Sequence, residues 1–194
     1  FRHPRADGII AMTVDRGDSL IGAELTDGKG EIFIGSKAGK AIRFKESNVR
    51  SMGRTARGVR GISLRDNDEV ISMTIVKAGG TLLTVTEKGF GKRTDVGAYR
   101  SQTRGGLGLK NIQTGERNGF VTGVIYLERD DEVMLITQHG KILRTVASGI
   151  RSIGRGTAGV RLIEIEEDDR VVSLARLTED QLDENNSSDE LSSN

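Results

Sequence analysis

Cysteine and tryptophan are absent from the 194 residues, proline occurs once, at Pro4, and there are only two histidines. Without cysteine there are no disulfides and no thiolate metal sites, and nothing points to an oxidising compartment. With no paired carboxylates inside an apolar stretch either, there is no nucleophile-base pair and no metal cluster at plausible spacing. The chain therefore reads as no enzyme on its own, with no cofactor. No apolar run approaches the roughly 18 residues that a bilayer span needs, and no signal peptide is visible. A cytoplasmic protein without membrane contact is the expectation. The first residue is Phe1 rather than methionine, so the sequence reads as a piece of a longer protein. An excess of one charge is also missing, the formal net charge being +1, but the charges are unevenly spread. Residues 179–194 carry six acids and no base, which leaves residues 1–178 with all 29 bases against 22 acids.

What the chain does have is glycine, 26 in all, and a repeat. Superposing Gly39, Gly89 and Gly140 and counting places onward brings the same residue types into register without a gap. Place four is Arg43, Arg93, Arg144; place eleven is Arg50, Arg100, Arg151; place fifteen is Arg54, Arg104, Arg155. Place nineteen is Gly58, Gly108, Gly159, and place twenty-one is Arg60, Lys110, Arg161. Units of about fifty residues at fixed period indicate a propeller or array in which each unit covers its neighbour's apolar faces. Each unit holds four strand-length apolar runs separated by turn signals, as a four-stranded antiparallel blade requires. In the first full unit these runs are 32–36, 41–44, 59–64 and 70–76, the first two joined by a glycine hairpin at Gly39. Gly8 to Val14 reads as the last strand of an incomplete blade, and Leu20 to Leu25 as an extra strand or insertion. Helical periodicity is weak throughout. The expectation is an all-β domain over residues 1–178, with about three full blades and a remnant, followed by a disordered acidic tail over 179–194.

Between the second and third runs lies a long basic loop rich in glycine. One such loop would most simply neutralise nearby acidic turns. Three in register form a charged track, and Arg or Lys on DNA phosphates fixes position without reading bases. The candidate contacts are the residues at places eleven, fifteen and twenty-one, together with Arg57, Lys92, Arg93, Lys141 and Arg144. The place-four arginines rank lower because strand two lets them pair within the blade. The place-fifteen arginines, Arg54, Arg104 and Arg155, are expected on one exposed basic surface, among glycines that let a phosphate approach the backbone. The tail either competes with DNA for that surface or only aids solubility.

Several short motifs carry a family resemblance: FRHPRADGIIAM at Phe1 to Met12, EKGFGKR at Glu87 to Arg93, YRSQTRGGLGL at Tyr99 to Leu109, Glu116 to Gly119, and Ile153 to Arg155 with Gly159 and Val160. In order along the chain, they resemble the C-terminal domain of the DNA gyrase A subunit, from the bacterial type II topoisomerases. The resemblance implies a β-pinwheel, a propeller-like ring of four-stranded blades with strand exchange between neighbours. It also implies a basic rim that wraps duplex DNA, near the nucleoid, so that strand passage introduces negative supercoils. The partners it implies are the ATP-binding B subunit of the full enzyme and the rest of the gyrase A polypeptide. The gyrase A box of that family, QRRGGKG, belongs to an early blade; Gln102 to Gly108 matches it at five of seven places in a late one. The corresponding subunit of topoisomerase IV is the alternative, and a propeller scaffold that binds protein is the rival from another class. WD40 repeats are excluded by the absence of tryptophan.

Overall fold

A computed structural model describes residues 8–65 and 67–177. Its regular structure is strand with three short 3-10 turns, and no helix among the described residues is long and apolar enough to cross a membrane. The expected hairpins form where the glycines sit. β1 (Glu31–Ser36) turns into β2 (Lys40–Lys45), β4 (Thr81–Thr86) into β5 (Phe90–Asp95), and β8 (Glu132–Thr137) into β9 (Ile142–Val146). Gly39, Gly89 and Gly140 take φ of 81°, 76° and 83° in these turns, a region that costs any residue with a Cβ. In the first and third blades the acidic turns close the hairpin end. Asp68 accepts from the Ala38 amide at 2.9 Å and Asp169 from the His139 amide at 3.1 Å, so these acids hold hairpins and not loop arginines.

The last strand of each unit, β3 (Val70–Val76), β7 (Val121–Leu127) or β11 (Val171–Leu177), pairs antiparallel with the first strand of its own unit. The third run behaves differently. β6 (Leu109–Lys110) pairs with β2 of the preceding unit, Lys110 opposite Lys40 and Leu109 opposite Ala41, and β10 (Val160–Arg161) pairs with β5. Each unit therefore gives its third strand to the blade before it, and the sheets run β3-β1-β2-β6, β7-β4-β5-β10 and β11-β8-β9. The all-β blade architecture is as the sequence suggests, with the strand exchange that the resemblance implies. Two details differ. Residues 59–64 form no strand, because no described strand precedes them to receive their pairing. Gly8 to Val14 and Leu20 to Leu25 are also irregular, with Leu20 and Leu25 exposed: a run that copies β3 in sequence still needs a first strand beside it. The expected disordered tail lies outside the described residues.

The core sits between blades. Phe33, Ala41 and Val76 of one unit share a buried cluster with Leu82, Tyr99, Ile112 and Tyr126 of the next, and Leu83 and Leu127 share another with Val133, Leu135, Ile150 and Ile163. Phe33 meets Tyr99 edge-on across the first junction, with ring centroids 5.0 Å apart. Burial pushes the Tyr99 hydroxyl up to about 12, and it donates to Asn111 Oδ1. The terminal strands β3, β7 and β11 pack against one another at the hub. In the two four-stranded sheets the donated strands lie at the opposite, outer edge.

Candidate nucleic-acid interface

Because the third strand is donated backwards, the basic loop lies along the outer edge of the preceding blade: at the second junction it first meets that blade's second strand in a parallel bridge, Arg93 with Ser152, and at both junctions it ends antiparallel to that strand, at Leu109–Lys110 and Val160–Arg161. The hydrogen bonds repeat from one junction to the next. Gln102 N donates to Arg43 O at 2.8 Å and Ile153 N to Arg93 O at 2.9 Å, both from place thirteen to place four. Further along, Asn111 N donates to Gly39 O and Leu162 N to Gly89 O, each at 2.8 Å. The glycines serve this approach. A Cβ at Gly108 would lie 2.5 Å from the Ala41 carbonyl oxygen, and one at Gly159 would lie 2.8 Å from that of Gly91. The expected role of glycine, opening the backbone to phosphate, is replaced at these positions by contact between backbones.

The arginines divide by place into two structural classes and two exposed rows. At place four, Arg43 is bonded to Glu31 and donates Nη1 to the carbonyls of Val96 at 2.8 Å and Tyr99 at 3.0 Å; Arg93 donates Nε to Ile150 O at 2.8 Å. These side chains reach the next unit's place-ten carbonyl. Arg144 pairs within its blade with Glu132, as expected for strand two. At place fifteen the direction reverses. Arg104 donates to Asn48 O and Arg60 O, both at 3.0 Å, and Arg155 donates to Lys110 O at 3.3 Å, each gripping the place-twenty-one carbonyl of the unit before. Arg104 and Arg155 are thus half-buried staples and Arg54 alone of that row is exposed, so the three do not make the expected uniform surface. Sequence cannot tell the two uses of arginine apart, since a staple and a phosphate contact have the same period.

Place eleven is the outward row. Arg50, Arg100 and Arg151 each follow the same 3-10 turn, all are exposed, and their side chains have no ion pair or hydrogen bond among the described residues. Place twenty-one is exposed too: Arg60 and Lys110 have unpaired side chains among the described residues, while Arg161 lies 3.6 Å from Glu164 and over the Phe90 ring. Arg57 pairs at the surface with Asp15 at 3.3 Å, and Lys141 donates to the Glu164 carbonyl. Lys92 must be removed from the candidate contacts. It is fully buried, with Nζ on Gly154 O at 2.6 Å and Arg155 O at 2.9 Å; burial, helped by the Arg155 charge, lowers it to about 8. Lys45, at place six, was missed because Asp95 and Val146 replace it in the other units, so it leaves no trace in the repeat. Among the described residues, the grouping with metal-ligand spacing is His139, Glu166 and Asp168, whose ligand atoms lie within 4.8 Å of one another, all exposed on turns. His139 was not expected to have ligand company; the hairpin and acidic turn, tied by Asp169, bring it there.

Comparison with known proteins follows the same units. The family model described as DNA gyrase C-terminal domain, beta-propeller, matches residues 3–27, 30–77, 80–127 and 131–178. The DNA gyrase A subunit of Salmonella typhimurium is 47% identical over 179 residues, covering 92% of this chain and 20% of that protein. That of Escherichia coli is 43% identical over the same shares. The chain therefore spans about a fifth of the curated relatives it matches. A solved DNA gyrase A C-terminal domain superposes with a TM-score of 0.82 at 28% identity, over 89% of this chain and 59% of that one. The C-terminal domain of DNA topoisomerase IV gives a TM-score of 0.89 at 23% identity, over 100% of this chain and 61% of that one, a likeness of fold. With four repeat matches falling on the remnant and the three blades, this chain belongs to the DNA gyrase C-terminal domain family of β-propellers.

Proposed function

We propose that this domain binds duplex DNA along its outer edge without reading sequence, and wraps it there as part of a gyrase A polypeptide. One observation carries the reading: Arg50, Arg100 and Arg151 occupy the same exposed place in three consecutive units with no acid paired to them among the described residues. Exposed guanidiniums keep their charge and offer several donors to a phosphate. The loops that carry Arg100 and Arg151 are held to the preceding blade by backbone hydrogen bonds, so the positions of those two are set before DNA arrives. DNA that met one place-eleven arginine would meet the next a blade further on, and a curved array would bend it. Bending costs several kcal/mol over a short site, which repeated phosphate contacts offset.

In this reading the contacts need no cofactor. Cleavage comes from the rest of the gyrase A polypeptide, energy from an ATP-binding partner, and the setting is the bacterial cytoplasm at the nucleoid. Gyrase is preferred to topoisomerase IV because the relatives at 47% and 43% identity are gyrase A proteins. A gel shift with unrelated duplexes across a salt series tests binding. Affinity should be alike for all sequences and weaken steeply with salt; salt-insensitive binding, or none, would favour a protein scaffold. Wrapping is tested separately by closing nicked plasmid with ligase in the presence of the domain. An unchanged linking number would end the wrapping claim and leave the binding one standing.

A further inference from the structure

The two junctions described above are alike in backbone and unlike in charge. At the first, the end of β2 and the start of the second unit's basic loop frame an open cleft lined by Lys45, Asn48, Arg100, Ser101, Gln102 and Thr103. We propose that this cleft holds one backbone phosphate of duplex DNA and is the tightest single contact of the edge, a claim that rests on the DNA-binding reading above.

Three observations support it. Lys45 and Arg100, both exposed, give the mouth two positive charges. No acid is among the six lining residues, and Glu31 and Glu46, which flank Lys45, are already engaged: Glu31 is bonded to Arg43, and Glu46 to the Thr26 hydroxyl and the Gly30 amide. Burial raises the Glu31 carboxyl, but bonds from Arg43 and Ser101 and the charges of Arg43 and Lys45 outweigh it, so Glu31 stays ionised and committed to those partners. Third, Gln102 Nε2 is buried with no hydrogen-bond partner among the described residues. A buried donor without an acceptor is unfavourable and calls for a ligand. The terminal torsion of glutamine is broad, so the amide can turn toward a phosphate oxygen seated between the two cations.

The second junction lacks each of these. Asp95 replaces Lys45, Ile153 replaces Gln102 and Gly154 replaces Thr103, with Arg151 alone retained from the cationic pair. A carboxylate where the first junction has an ammonium repels a phosphate, so a track that is periodic in arginine is graded in strength.

The test uses duplex binding by the whole 194-residue chain across a salt series, with circular dichroism to verify each variant's fold. Lys45→Ala should reduce the slope of log affinity against log salt by about 0.9, one phosphate contact. Lys77→Ala, an exposed lysine just past the end of β3, should leave it unchanged. Gln102→Leu should lower affinity several-fold at an unchanged slope, because a neutral donor displaces no counterion. Asp95→Lys should raise the slope by about 0.9 by building the missing cation at the second junction. If the parent chain binds and Lys45→Ala behaves as Lys77→Ala does, the cleft is overturned while DNA binding stands. If the parent chain shows no salt-dependent binding, both fall.

Discussion

Gly89 and Gly140 are the same residue in the same turn with nearly the same φ, yet they meet different surroundings. A Cβ at Gly89 would lie 2.4 Å from the Ile163 carbonyl oxygen; at Gly140 nothing among the described residues lies within 4 Å. Left-handed strain alone should cost Gly140→Ala about 1 kcal/mol. Gly89→Ala adds a backbone collision and should lose about 3 kcal/mol in denaturant unfolding. Equal losses would mean that the junction is looser than described. Lys92 gives a second check. Its folded value of about 8 lies below the ordinary 10.5, so above pH 8 the folded protein releases a proton that the unfolded chain keeps. Stability should then rise between about pH 8 and 10, by up to about 3 kcal/mol, and the rise should vanish in Lys92→Met. The window closes near pH 10, where the unfolded tyrosine begins to ionise while buried Tyr99 holds its proton to about 12, reversing the slope. The glycine register was legible in sequence. That a lysine at place three would be the buried one was not, because nothing in a second strand marks which of its cations the next unit's loop will cover.

At the scale of elements, the strands were legible from alternation and turn glycines, and their partners less so. A two-residue strand such as Val160–Arg161 has no pattern of its own, and only the register with Phe90 and Gly91 assigns it to the earlier blade. Strand exchange also explains why arginine period did not translate into exposure. A loop lying on another unit needs side chains that satisfy that unit's carbonyls, and places four and fifteen do this from opposite sides of each junction. Cutting one staple should therefore loosen the junction. Arg104→Ala should destabilise by about 1 kcal/mol, since its hydrogen bonds are charge-assisted but partly solvated. Arg54→Ala, with no described unit before it to grip, should change stability by less than about 0.5 kcal/mol. A loss from Arg54→Ala as large as that from Arg104→Ala would contradict the assignment of place fifteen to stapling.

For the whole molecule, the topology puts the packing of β3, β7 and β11 at the hub and the basic loops at the outer edge. Repeat period alone established that the loops share a position; it could not establish that the position is peripheral, which follows from the donated strand being outermost. The edge is charged where it is free, at places eleven and twenty-one, and structural where it is bonded. The central claim is that the free row meets DNA phosphates. The most direct measurement is the salt dependence of duplex affinity for the parent chain and for Arg50→Ala, Arg100→Ala and Arg151→Ala combined. The account predicts a slope reduced by about 2 to 3, at about 0.9 per lost phosphate contact, on every duplex alike. An unchanged slope, or a loss confined to one sequence, would contradict it.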